Sequence, residues 1–430
     1  MSGLVLAYRI GTGALEPLLP ALLAWRARRG KEEPGRLGER RGRPSLARPP
    51  GALVWAHGAS LGEALSLLPL VERLCAQGLA VLVTAGTRTA AEVLARRLPP
   101  GALHQYAPLD APGAVARFLA HWRPGLAIAA ESEIWPNTLA ALARAGVPLV
   151  VVNGRLSVRS QGRWARLPGP AQGLFGRLAL VLAQTEADAA RFTGLGAPRV
   201  AVAGNLKFDA PSPPADPAAL ARLTGLVSGR PVWVAASTHP GEEALMLAAH
   251  RALTARLPTL LTVIAPRHPE RGGAVAALAS EAGLLPARRA RGEAPERHVA
   301  VYVADTVGEL GLLYRLSPVV FVGGSLVPHG GQNPIEPARL GAALLHGPHL
   351  RNFEMIYADL DAAGAARAVA DAGALADALG ALLADPGRVR AMARAGAAVV
   401  EASTGALGRT LAALEPYLGP LRSGAAARAP

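Results

Sequence analysis

The chain has 430 residues, 51% of them hydrophobic but only 4% aromatic, and a formal net charge of +14. That length exceeds the roughly 250–300 residues at which one hydrophobic core stops growing, so two domains are expected, and an apolar content supplied mainly by Ala, Leu, Val and Gly is that of helices on parallel strands. The charge excludes a typical nucleic-acid groove, because residues 1–50 alone hold ten Arg or Lys against four Asp or Glu, whereas such a groove interleaves basic residues with stacking aromatics across the fold. Cys75 is the only cysteine. It rules out an intramolecular disulfide and a Cys-rich metal site, reads as a buried inert thiol on a helix, and suits domains facing the cytosol.

In chain order, residues 3–25 (GLVLAYRIGTGALEPLLPALLAW) are apolar but interrupted by Arg9, Glu16, Pro17 and Pro20, and are followed by Arg26, Arg28, Arg29 and Lys31. No uninterrupted run reaches the roughly 20 residues of a spanning helix, and there is neither a basic leader nor a small-residue cleavage site. The segment is expected to lie on, or dip into, an anionic membrane leaflet, the plainer alternative being a first helix packed on the protein. Residues 30–50 read as a polar connector, mobile or loosely docked.

From residue 52 the runs ALVWAH, LAVLVTAGT, LHQYAPLD, GLAIAAES, VPLVVVNGR, LALVLAQTE and VAVAGN alternate with helix-like stretches. This is the pattern of a doubly wound parallel sheet. The Pro-rich DAPSPPADPAA breaks the rhythm, and RPVWVAAS, TLLTVIAPRH, HVAVYVAD, SPVVFVGG and AALLHGP then resume it. The organisation expected is a membrane-associated segment and connector over 1–50, an acceptor-binding Rossmann-like domain over 51–208, a linker over 209–229 and a donor-binding Rossmann-like domain with terminal helices over 230–430. Ligands of such sheets bind beyond the carboxyl ends of the strands, here in a cleft between two domains.

Composition singles out further positions. The basic residues are 43 Arg and two Lys, Lys31 and Lys207, and Asn occurs five times, at Asn137, Asn153, Asn205, Asn333 and Asn352. A compact ammonium kept in a chain that otherwise writes Arg marks a tight site touching one phosphate or carboxylate oxygen, which is the reading for Lys207.

The strand-end motifs carry the chemistry. His57-Gly58-Ala59-Ser60-Leu61-Gly62-Glu63 lacks the Gly-x-Gly-x-x-Gly of dinucleotide sites. It places Glu63 in a first helical turn, where it serves either as a general base for a sugar hydroxyl or as a complement to the helix dipole. In Glu131-Ser132-Glu133-Ile134-Trp135-Pro136-Asn137 the two carboxylates of an extended chain point to opposite sides, so one at most shares a site with Glu63. Glu131 would stabilise positive charge on a sugar ring, or act as a cap. The second half offers Ser237-Thr238-His239, whose helix amides suit an anion, and Pro266-Arg267, whose guanidinium suits a phosphate. It also offers Val307-Gly308-Glu309 at another helix start. Gly323-Gly324, with Asn333-Pro334-Ile335-Glu336 opening a helix, reads as a phosphate cradle whose Glu336 accepts from ribose hydroxyls. The histidines are scattered, and no metal site or nucleophilic dyad is evident.

Taken together, HGASLGE, ESEIWPN, VNGRLSVRS, QTEADAARF, GNLKFD, STHPGEE, PRHPER, DTVGEL, GGSLVPHGGQNPIEPA and GPHLRNF resemble the 3-deoxy-D-manno-octulosonic acid (Kdo) transferase family of lipopolysaccharide biosynthesis. All five Asn lie inside these segments. The resemblance implies the GT-B fold and a metal-independent, inverting transfer from CMP-Kdo to a 6′-hydroxyl of a lipid A precursor at the cytoplasmic side of a bacterial inner membrane. By motif position, Glu63 resembles the family's base, and Glu131 and Lys207 the groups that stabilise the transition state. CMP contacts would come from Pro266, Arg267, Val307, Gly308, Glu309, Asn333, Pro334, Ile335 and Glu336. Two departures stand out: Gln332 replaces the family's usual His, and Gly58-Ala59-Ser60-Leu61 replaces its more frequent Ser-Val-Ser-Val. Gln accepts and donates hydrogen bonds but never becomes cationic. A nucleotide-sugar epimerase on the same fold, and a basic membrane-surface binding protein, are the rival readings.

Overall fold

The computed structural model describes residues 3–424 and divides the chain into two units, one running to Ala210 and taking in the chain again from Thr404, the other covering Pro211–Ser403. The first unit holds a parallel sheet of β1 (Leu53–Gly58), β2 (Ala80–Ala85), β3 (Ala102–Tyr106), β4 (Leu126–Ala130), β5 (Leu149–Gly154), β6 (Leu180–Ala183) and β7 (Val200–Val202). These strands match the seven apolar runs, β1 and β3 each reaching one residue beyond theirs. Their order, β3-β2-β1-β4-β5-β6-β7, makes the boundary between β1 and β4 the topological switch point, where the connections diverge and leave a crevice at the strand ends. Both sheet faces are covered, which is why the strands read as continuous hydrophobic runs. Val54 and Ala56 meet Leu67, Leu70 and Leu74 of helix Leu61–Ala76 on one face, and Leu53 and Trp55 join Phe118, Trp122 and Leu139 on the other.

The second unit repeats the plan with β8 (Val232–Thr238), β9 (Leu261–Pro266), β10 (Pro286–Arg288), β11 (Val301–Val303), β12 (Val319–Val322), β13 (Ala343–His346) and β14 (Ala366–Ala368), in the order β10-β11-β9-β8-β12-β13-β14. Its switch point lies between β8 and β12. The sequence marks five of these strands. The two missed are the edges β10 and β14, three residues each with an arginine among them, and an edge pairs on one side only and needs no apolar run.

Three expectations are corrected. The C-terminal helix Ala406–Arg422, assigned by sequence to the 230–430 domain, belongs to the first unit. Its Leu414, Leu418 and Leu421 enter that unit's core, and Asp209 accepts the Gly405 and Leu407 amides at 2.7 and 2.8 Å. An apolar stripe on a helix does not say which sheet it covers. The expected 209–229 linker contains the helix Pro217–Leu226, capped by Asp216, with Ala219 and Leu223 buried in the second unit. Third, the segment 30–50 is not loosely docked. Glu32, Glu39 and Arg40 are buried, with Arg40 paired to Glu32 at 3.0 Å and donating to the carbonyls of Gly86 and Ala107, while Glu39 accepts from Arg36, Ser45 and the Tyr106 amide. A charge run reads as solvated until partners as distant as Tyr106 are known.

Residues 3–28 form two helices, Gly3–Leu15 and Leu19–Arg28, joined by a 3₁₀ turn. One side packs on the first unit through Val5, Leu23 and Glu16, whose carboxylate accepts the Gly113 amide at 2.9 Å and pairs with Arg117 at 2.7 Å. The other side exposes Leu4, Leu6, Ile10, Leu15, Leu18, Leu22 and Trp25. Among the described residues no helix is long and apolar enough to cross a membrane.

Candidate functional site

In the first unit the switch point gathers the sequence-predicted residues. β1 ends at Gly58, where a Cβ would lie 2.6 Å from the Ala64 nitrogen, so the following helix abuts the strand end because that position has no side chain. Ser60 caps this helix. Its hydroxyl accepts the Glu63 amide at 3.3 Å and donates to Glu63 Oε1 at 2.7 Å, while Glu63 Oε2 accepts the Ala59 amide at 2.9 Å. This is a reciprocal capping box. The structural role weighed for Glu63 is therefore realised, and it also fixes the half-buried carboxylate at the crevice, with two hydrogen bonds on a group that has about four acceptor sites.

On the other side of the switch point, β4 leads into Glu131 with φ +55°. The extended-chain premise behind opposed carboxylates does not apply here, because Glu131 is left-handed and followed by a turn closed by the Glu133 amide on the Ala130 carbonyl at 3.3 Å. Glu133 consequently shares the region. Its carboxyl is raised above the usual range, first by burial and then by the charges of Glu63 and Glu131, against a 2.8 Å hydrogen bond from Trp135 Nε1. A non-glycine residue held at positive φ beside a catalytic candidate is the kind of strain that functional sites retain.

Lys207 sits 3.4 Å from Glu131 Oε1. Its 3₁₀ turn, Leu206–Asp209, is built by two of the scarce asparagines: Asn205 Oδ1 accepts the Lys207 amide and Asn153 Oδ1 the Leu206 amide, each at 3.0 Å. The other three also bind backbone, Asn137 the Asp110 carbonyl, Asn333 the Ile335 amide and Asn352 the Gly331 carbonyl. Their side chains complete turns, a task Arg or Ala cannot perform. Behind Glu133 lies buried His57, whose Nδ1 is 2.9 Å from Thr84 Oγ1 and whose Nε2 is 3.9 Å from Glu133. Burial pushes its pKa down to about 4, against a backbone bond to Thr84 and helped by Arg40.

The second unit assembles part of its predicted set. A cavity of about 170 Å³ is walled by Ser237, Pro266, Arg267, Val307, Gly308 and Glu309 among others. Glu309 is held by Arg289 through two contacts of 2.5 Å and accepts from Thr306, so its carboxyl lies below the usual range, chiefly through Arg289. Its side chain is thus committed within the protein. Asn333, Pro334, Ile335 and Glu336 do not line this cavity. They open the short helix Ile335–Arg339 beside Tyr314, whose buried phenol is raised by burial and by Glu336.

Some of the amides expected to cradle an anion are committed inside the protein. The amides of His239, Gly324, Ser325 and Leu326 all donate to the buried carboxylate of Glu242, at 2.9, 2.6, 2.9 and 2.9 Å. Three amides of the glycine-rich run, Gly324, Ser325 and Leu326, therefore serve an internal carboxylate, whose first helical position aims it into the loop. Beside this loop the structure gathers histidines that sequence treated as scattered, His239 buried and His268 and His329 exposed. His329 stacks on His239 at 3.7 Å between ring centroids, His268 stands 6.2 Å from His239, and Gln332 Nε2 lies 3.0 Å from His239 Nε2. Burial pushes His239 down to about 4, helped by His329, His268, Arg267 and Arg271. His239 and His268 closely follow the ends of β8 and β9, a signal that would have paired them, whereas His329 lies deep in the loop after β12. Imidazole N–H donors with the Arg267 guanidinium beside them suit an anionic ligand.

The family model described as 3-deoxy-D-manno-octulosonic-acid transferase (kdotransferase) matches residues 35–210. A 3-deoxy-D-manno-octulosonic acid transferase of Bordetella pertussis is 40% identical over 428 residues, covering 95% of this chain and 99% of that protein. The protein of the same name from Haemophilus influenzae is 35% identical over 379 residues, covering 86% of this chain and 88% of its own. A glycosyltransferase structure from Rickettsia africae, 12% identical, superposes with a TM-score of 0.56 over 86% of this chain and 99% of its own. That likeness bears on the fold alone and supports two parallel α/β units of the GT-B class.

Proposed function

We infer the reaction from an established membership: the chain belongs to the 3-deoxy-D-manno-octulosonic acid (Kdo) transferase family and is a glycosyltransferase. The reaction proposed is transfer of Kdo from CMP-Kdo to the 6′-hydroxyl of a lipid A precursor, with inversion and without a metal, at the cytoplasmic face of a bacterial inner membrane. The observation that carries it is the grouping of Glu63, Glu131, Glu133 and Lys207 at the switch point of the first sheet.

Glu63, oriented by Ser60 and Ala59, takes the proton of the acceptor hydroxyl as its oxygen bonds to the anomeric carbon of Kdo. The bond from that carbon to the phosphate oxygen breaks, and CMP leaves with the electron pair. Positive charge on the sugar ring is offset by Glu131, held against Lys207. Arg267 and the His239–His329 group suit the departing phosphate, and the loop of Val307 and Gly308 the nucleoside. The exposed apolar side of residues 4–25, bordered by Arg9, Arg26, Arg28 and Arg29, suits an anionic membrane surface.

The test is Glu63→Gln. Gln also serves at the third position of a capping box, so folding and CMP binding are expected to persist while turnover, read as product mass with CMP-Kdo and a lipid A precursor, falls by about 10²–10⁴. Wild-type turnover in that variant refutes the mechanism. Incubation yielding an isomerised sugar nucleotide and no glycosylated lipid would favour the epimerase reading.

A further inference from the structure

The first unit contains a chamber of about 410 Å³ that the mechanism does not use. It runs along the sheet face of β1 and β4, and its space comes from the strand sequence. Ala127 and Ala129, two residues apart and so on one face, stand where buried parallel strands generally carry Val, Ile or Leu. Leu142 of the helix Pro136–Arg144 also lines it.

The lining combines two chemistries. Leu22 and Trp25, each 46% exposed and both part of the apolar surface of the N-terminal helices, line it beside Arg26, with the Arg29 guanidinium 4.1 Å over the Trp25 ring. His57, Glu133, Asp110 and the paired Glu32 and Arg40 line it as well, as does Ala59, whose amide donates to Glu63 Oε2 at 2.9 Å. Thus one wall residue is hydrogen-bonded to the proposed base. Taking a methylene as about the ~30 Å³ of a liquid water, the volume holds about a dozen carbons. The volume lies within the roughly 300–1,000 Å³ range of ligand sites.

We propose that this chamber seats one acyl chain of the lipid acceptor while the acceptor's hydroxyl lies at Glu63. The assignment rests on the acceptor reading above. The acceptor's chain is preferred over that of a bulk bilayer lipid because Ala59 ties the chamber to the carboxylate that receives the hydroxyl proton, and Arg26 and Arg29 complement a phosphorylated headgroup. The chamber confers on the acceptor an apolar anchor, and so makes acylation part of substrate selection.

The experiment fills the chamber with Ala129→Leu and, separately, Leu142→Trp. KM is measured with a tetra-acylated disaccharide bisphosphate and with the same disaccharide stripped of its chains. In both variants KM for the acylated acceptor is expected to rise about tenfold or more, with the chain-free acceptor unaffected, which also reports an intact fold. Equal effects on both acceptors, or none, overturn the proposal. Binding is read independently through quenching of tryptophan fluorescence by a bromo-acyl form of the acceptor, which wild type shows and Ala129→Leu loses. Equal quenching by bromo-acyl phosphatidylglycerol assigns the chamber to bilayer lipid and overturns the acceptor assignment. Transfer by wild type to neither acceptor, with quenching intact, refutes the reaction reading but not acyl binding.

Discussion

Glu63 and Glu242 occupy corresponding places, each at the start of the helix that follows the first strand of its unit, and they do opposite things. Glu63 is the third residue of its helix, where a capping box holds it half-buried at the crevice. Glu242 is the first residue of its helix, fully buried, and collects four loop amides. A shift of two positions turns an outward carboxylate into an internal pin. The side chains gathered in each unit differ too: three glutamates and Lys207 in the first, three histidines and Arg267 in the second.

The sharpest way to break that contrast is Glu63→Gln, which should cost about 10³ in turnover with little change in Tm. Glu242→Ala should do the reverse, lowering stability by at least about 3 kcal/mol, since each buried amide left unpaired costs roughly 1–3 kcal/mol. Calorimetric Tm and CMP titration would separate the two cases, and a Glu242→Ala protein of wild-type stability would remove the pin from the account.

Lys207→Arg keeps the charge but replaces a compact ammonium at 3.4 Å from Glu131 by a planar fork. We expect turnover to fall about tenfold at unchanged CMP affinity. An Arg variant as fast as wild type would make the rarity of Lys incidental.

Acid sensitivity should be common to both units. His57 and His104 in the first, and His239 and His250 in the second, are each pushed down to about 4, with burial the largest cause. The unfolded chain, near 6.5, then binds more protons than the folded one between pH 6.5 and 4, so the stability these groups contribute is present above that window and lost as pH falls through it. Thermal melts of wild type and His57→Gln across this range would show a shallower slope in the variant. A slope identical to wild type would mean that His57 is not buried neutral.

The smallest effect belongs to the N-terminal surface. Ile10→Glu or Leu18→Glu should weaken binding to anionic vesicles in a sedimentation assay while moving stability by no more than about 0.5 kcal/mol. Unaltered vesicle binding would place the membrane contact elsewhere. Point changes are the cleaner probe here, because removing residues 1–30 would also strip Val5 and Leu23 from the core.

The alternation of apolar runs, the strand-end motifs and the scarcity of Lys and Asn by themselves determined the α/β class, seven strands of one sheet and five of the other, the family, and the candidates Glu63, Glu131 and Lys207. These are local signals: period, turn residues and rare residue types survive in one dimension. Only the tertiary structure decided that Glu133 joins Glu63, since a single left-handed residue cancels strand alternation. The same holds for the capture of the Gly-rich amides by Glu242, about 80 positions earlier, and for the return of Ala406–Arg422 to the first sheet. It holds too for the space left by Ala127 and Ala129. Each depends on which distant group fills a direction, a pairing fixed by packing and desolvation and not by spacing along the chain.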